Sequence, residues 1–137
     1  MRIIRLPGIH HDANAVIFAG NESSVLVDAG TTWYQMLQVE RISGHLGERK
    51  LSKILLTSRR YPFSGAAKYI SENNGNIPIH IHEDAISVLQ TGDFYSTWAN
   101  RYDSDMPSTD CVQVTQGDQF NLGDGGITAL SLPGHCT

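Results

Sequence analysis

The sequence predicts an α+β fold, a β-hairpin followed by alternating helices and strands and then a β-meander. Three observations support this. Short apolar runs of β-type composition, bounded by Gly, Pro and Asn, recur along the chain. Between residues 33 and 90 they alternate with stretches whose apolar residues keep helical spacing. After residue 112 only strand-like runs remain, joined by tight Gly/Asp turns in "QGDQFNLGDGGIT".

Residues 1–6 read as a first strand, closed by Pro7-Gly8. Residues 13–19 ("ANAVIFA") are a second, and Gly20-Asn21-Glu22 is a turn. Residues 24–28 ("SVLVD") are a third, nearly continuous in apolar residues, as expected for a strand covered on both faces. The second and third form a hairpin. Ala29-Gly30 breaks the strand, and Thr31 or Thr32 can cap a helix over 33–46. Met36, Leu37, Val39, Ile42 and Leu46 are its expected apolar stripe, and Gly47 ends it.

Residues 53–57 ("KILLT") are the next strand, and 64–73 the next helix, with Ala67 and Ile70 inward and Asn74-Gly75 as its stop. Residues 77–82 read as a short strand and 83–90 as a short helix. Residues 91–111 are polar, aromatic and turn-rich without clear period, which predicts a functional or covering loop. Residues 112–115, 119–122 and 126–132 are expected to form a β-meander.

The chain has 137 residues, so one domain over 1–137 is expected. It is 40% hydrophobic and 18% charged, with a net charge of −4, ordinary values for a globular protein. Nothing more basic than Arg59-Arg60 occurs, which argues against a nucleic-acid partner. No apolar run approaches the ~20 residues of a membrane span. Two cysteines, Cys111 and Cys136, are too few for a disulfide framework. A cytoplasmic location is the default expectation.

Three landmarks resemble the metallo-β-lactamase superfamily. "NAVIFAGNESSVLVDAGT" (14–31) is similar to its opening hairpin, which ends in an Asp-x-Gly-Thr-like turn. "KILLTSRRYPFSGAAKYISENNGNIPIHIHEDA" (53–85) is similar to its second landmark, Thr-His-x-His-x-Asp-His-x-Gly-Gly followed by a helix. "GDQFNLGDGGITALSLPGHCT" (117–137) is similar to its third, a hairpin and strand running into Pro-Gly-His-Thr. The resemblance implies an αββα sandwich. It also implies that the chain is cut short after the Pro-Gly-His motif, with the second sheet only begun. A homodimer or a partner chain completing the sandwich is then expected, because half a sandwich leaves an apolar sheet face bare.

The departure is at the chemistry. In the family, imidazoles and a carboxylate on one tight loop hold one or two zinc-type ions that acidify a water. Ser58, Arg60, Pro62 and Phe63 stand where the resemblance places His, His, Asp and His. A hydroxyl is a poor ligand and a guanidinium repels a metal. Pro62 and Phe63 have no side-chain donor. Arg60 could instead read an anion, and Phe63 could pack where the metals would sit. His135 matches the third-landmark His ligand, and Asp28 matches a carboxylate that supports a ligand from behind. Asp28 is expected to pair with Arg59 or Arg60, or to cap the turn through Gly30 and Thr31.

His10, His11 and Asp12 are the available relocated ligands, although adjacent histidines in extended chain point apart. His80 and His82 share one strand face, with a structural or helix-capping role expected. Cys136 lacks a base–orienter pair. Phe94, Tyr95, Trp98 and Tyr102 make either a partner surface or a flap over the core. The expectation is a non-catalytic binding or interaction module with no cofactor. The alternative is a zinc- or other divalent-metal-dependent hydrolase of an ester, thioester, lactone or phosphoester bond, using a relocated or mononuclear site.

Overall fold

A computed structural model describes residues 1–128. His135, Cys136 and the end of the predicted strand 126–132 lie outside the described residues. Six strands form one sheet in chain order: β1 (Arg2–Leu6), β2 (Ala15–Ala19), β3 (Ser24–Val27), β4 (Lys53–Leu55), β5 (Ile79–His82) and β6 (Val112–Val114). β1, β2 and β3 are antiparallel, whereas β3 to β6 are mutually parallel. The parallel strands are linked by α1 (Gln35–Leu46), α2 (Tyr61–Ser64) with α3 (Ala67–Glu72), and α4 (Glu83–Thr91). A second, two-stranded sheet pairs β7 (Gln119–Asn121) with β8 (Gly126–Thr128).

Register sorts the side chains into two faces. Ile4, Ile17, Leu26, Ile54 and Ile79 align across five strands, and all lie in the buried core. Ile42 and Leu46 of α1, Ala67 and Ile70 of α3, and Ala85 and Leu89 of α4 complete that core. On the other face, Val16, Val27, Leu55, His80 and Val112 align. The β7–β8 hairpin covers part of this second face. Phe120 sits edge-on to His80 at 5.3 Å, with the Lys53 ammonium 5.2 Å from its ring centre. The backbone carbonyl of Leu122 accepts from the Glu22 amide at 3.1 Å. A Cβ on Gly20 would meet that carbonyl oxygen at 2.2 Å, so only glycine lets the hairpin approach.

Three sequence expectations change. The segment 112–115 does not open a meander. β6 joins the first sheet parallel to β5, because α4 and the loop after it form a crossover long enough to reverse direction. The helix predicted over 64–73 starts earlier and is broken, since Gly65 and Ala66 separate α2 from α3, Ala66 with φ −89° and ψ −2°. On α1 the buried residues are Gln38, Ile42 and Leu46, while Met36 and Leu37 are 68% and 40% exposed. The 3-10 turn Thr32–Tyr34 sets the phase of this helix, and the Gln38 amide goes inward to donate to the Ala29 carbonyl at 3.1 Å.

Candidate functional site

The site implied by the second landmark lies at the C-terminal ends of β3 and β4, where open parallel sheets offer a crevice. β3 ends at Val27, and Asp28 then takes a left-handed φ of 65°. Its amide donates to the Leu55 carbonyl at 2.8 Å, which ties the two strand ends together. The buried Asp28 carboxylate accepts the Thr57 amide at 2.8 Å on Oδ1 and the Thr57 hydroxyl at 2.8 Å on Oδ2. Thr31, expected as a partner of Asp28, instead donates its amide to Asp12 at 3.0 Å and its hydroxyl to the same oxygen.

The loop after Thr57 is occupied by packing contacts. Ser58 is buried, and its Oγ accepts the Arg60 amide at 3.1 Å. Arg59 Nε donates to the Ser96 carbonyl at 3.3 Å. The Arg60 guanidinium lies 3.8 Å from the centre of the Trp98 ring. Pro62 is in the first turn of α2, where its missing N–H is not needed, and its carbonyl accepts from Ala13 at 3.0 Å. The Phe63 carbonyl accepts from Ala29 at 2.8 Å, and its side chain is half-buried.

His10 and His11 diverge, as expected for neighbours. His10 has φ 55° and stacks on Tyr34 with ring centres 5.6 Å apart. His11 faces Trp33 at 5.8 Å and Tyr102 at 5.1 Å. Asp12 lies against Gly30, whose missing Cβ would come within 2.6 Å of the carboxylate. Burial pushes the Asp12 carboxyl above its ordinary 3.8, outweighing the Thr31 hydrogen bonds and the Arg41 and His10 charges. A folded acid that holds its proton longer than the unfolded chain contributes stability at low pH. That contribution is lost as pH rises through the folded pKa. Replacing Asp12 with Asn is therefore expected to flatten the decline in urea midpoint from pH ~4 upward. Equal slopes in the two proteins would show that Asp12 does not titrate there.

The 91–111 segment folds onto this end of the sheet. Tyr61, fully buried at the start of α2, donates its amide to the Thr97 carbonyl at 2.6 Å. Its hydroxyl contacts Ser104 Oγ at 2.8 Å and also meets Thr32 Oγ1. The aromatic group of this segment divides in two. Phe94 and Tyr95 pack on each other at 4.2 Å and stay exposed. Trp98 and Tyr102 turn inward, Tyr102 lying 5.8 Å from Tyr61 and 6.4 Å from Trp33. Asp93 shapes the turn by accepting the amides of Tyr95 and Ser96, which hold its carboxyl below the usual range, the Ser96 bonds most.

Sequence reasoning missed Trp33, Tyr61 and Arg101 as members of this cluster. The available signal was a repeated dipeptide, Arg60-Tyr61 and Arg101-Tyr102. Both arginines meet Trp98, Arg101 at 4.2 Å, and both tyrosines meet Trp33. His80 and His82 are elsewhere. His80 is buried beneath Phe120, and burial lowers its pKa, with Lys53 adding to the effect. His82 Nδ1 accepts the Asp84 amide at 3.3 Å and so caps α4. Burial, with the Asp110 charge adding to it, pushes the Cys111 thiol up to about 11, which disfavours the thiolate.

The described side chains do not fit a zinc centre. No group of three or more His, Cys, Asp or Glu residues comes together among the described residues. The carboxylates nearest the loop are bound to threonines, and the Arg60 guanidinium lies over Trp98. No helix among the described residues is long and apolar enough to cross a membrane.

No family model matches the sequence, and no curated protein matches it. Solved structures do. The subclass B3 metallo-β-lactamase BJP-1 of Bradyrhizobium japonicum superposes with a TM-score of 0.76 at 21% identity, over 90% of this chain and 47% of that one. Metallo-β-lactamase SMB-1 bound to 2-mercaptoethanesulfonate gives 0.76 and 21%, over 98% and 51%. A mutant of FEZ-1, the metallo-β-lactamase from Legionella gormanii, gives 0.76 and 15%, over 99% and 54%. The likeness is one of fold: across about half the length of those enzymes, this chain has the fold of the metallo-β-lactamase superfamily.

Proposed function

We propose that the chain is a non-catalytic binding module built on the metallo-β-lactamase fold. One observation supports this most. The four positions where the resemblance implies metal ligands hold Ser58, Arg60, Pro62 and Phe63. These residues stitch the loop to its neighbours through Trp98, Ala13 and Ala29. Four simultaneous losses cannot be reversed by one compensating ligand, and a permanent cation opposes metal entry. The same reading takes the partly covered sheet face as the surface for a partner chain or a second copy. There Ile3 is 62% and Val112 47% exposed.

The test is metal analysis of protein purified without a His-tag, with His135→Ala beside it, and an assay on generic esters and thioesters. The expected result is substoichiometric zinc, iron and manganese, and no turnover. Stoichiometric metal that is lost in His135→Ala would overturn the reading. Turnover that needs that metal would favour the hydrolase.

A further inference from the structure

Resting on the reading of a binding module, we infer that Arg60 and Arg101, held on Trp98, form a binding site for a small oxyanion. The two guanidinium carbons lie 3.8 and 4.2 Å from the centre of one indole ring. Two permanent like charges that share a ring repel each other, and one arginine would suffice to pack it. Among the described residues neither arginine forms an ion pair. Asp93, an acid of the same loop, is turned to the amides of Tyr95 and Ser96 instead.

Stacking uses the flat face of a guanidinium and leaves its N–H edges free. Those edges match the paired oxygens of phosphate or carboxylate. Arg60 is half-buried and Arg101 exposed, so neither residue is sealed from solvent. The backbone holds the arrangement at a cost. Trp98 has φ 65° and Asp103 φ 51°, so both ends of the 3-10 turn Ala99–Tyr102 that carries Arg101 are left-handed. Arg59 anchors the adjoining Ser96, which fixes the loop against the strand ends. Two cationic side chains meet at this ring, and the complementary ligand is an anion.

The experiment follows tryptophan fluorescence of the full chain during titration with inorganic phosphate, and separately with acetate, against sodium chloride at matched ionic strength. Trp98 reports directly. Saturable change with phosphate or acetate but not chloride is expected, and the stronger of the two identifies the oxyanion class. Arg101→Gln should weaken binding at least ~10-fold. Arg5→Gln, the same charge change on exposed β1, should leave it unaltered. A linear response, or equal weakening by both variants, would overturn the proposal. Should Arg101→Gln fail to fold, the wild-type melting temperature decides: a rise with phosphate or acetate beyond that with chloride supports the site, and its absence refutes it. Zinc bound stoichiometrically would sink the metal-free reading whatever the anion titration shows.

Discussion

Tyr61→Ala is expected to lower stability by about 3–5 kcal/mol, a large share of the ~5–15 kcal/mol that holds a typical domain. Tyr61 is fully buried where the 57–66 loop, the turn at Thr32 and the 91–111 segment meet. Its ring packs on Trp33 and Tyr102, and Gly65 leaves room for it: a Cβ there would come within 2.7 Å of the ring. Truncation opens a cavity under three segments that have no shared strand pairing to close it. It also removes the partner of the Thr32 hydroxyl and one of the two partners of the Ser104 hydroxyl. Tyr61→Phe keeps the volume and removes only the hydroxyl bridge, so about 1–2 kcal/mol is expected. Urea midpoints measure both. If Tyr61→Ala cost no more than Tyr61→Phe, the ring would not be the keystone of this end of the fold.

The second large effect is at Asp28. Asp28→Ala should cost about 3 kcal/mol, by losing charged hydrogen bonds to Thr57 and by placing alanine at a left-handed φ. The two contributions separate experimentally. Asp28→Gly loses the hydrogen bonds but relieves the backbone, and should recover about 1 kcal/mol relative to alanine. Asp28→Asn keeps an acceptor and tolerates the conformation, so less than half the loss is expected. Equal midpoints for Asn and Ala variants would contradict the geometry, because they would leave the Asp28–Thr57 bonds without effect. In this chain the carboxylate joins β3 to the loop after β4, a structural role that needs no metal behind it.

Much of the fold was legible because its strands are short apolar runs punctuated by Gly, Pro and Asn. The hairpin of β2 and β3 and the parallel continuation through β4 and β5 follow from that pattern. Two features were not legible. Met36 and Leu37 read as core because helical spacing gives a stripe but not its phase, which here depends on the turn at Thr32–Tyr34. β6 read as the start of a meander because neither its partner nor its direction is encoded in three residues, only in how far the preceding crossover reaches.

The candidate site divides in the same way. Which residue types stand at 58, 60, 62 and 63 is a matter of side-chain identity, and identity is visible in one dimension. The meeting of Arg60 with Arg101, and of His11 with Trp33 and Tyr102, joins residues from loops far apart in the chain. By itself, then, the sequence determined the order of the elements and which residue types stand at 58, 60, 62 and 63, since both follow from local composition. Only the tertiary structure decided what those residues contact. Contacts between distant loops depend on how the sheet brings their ends together, and no spacing along the chain records that distance.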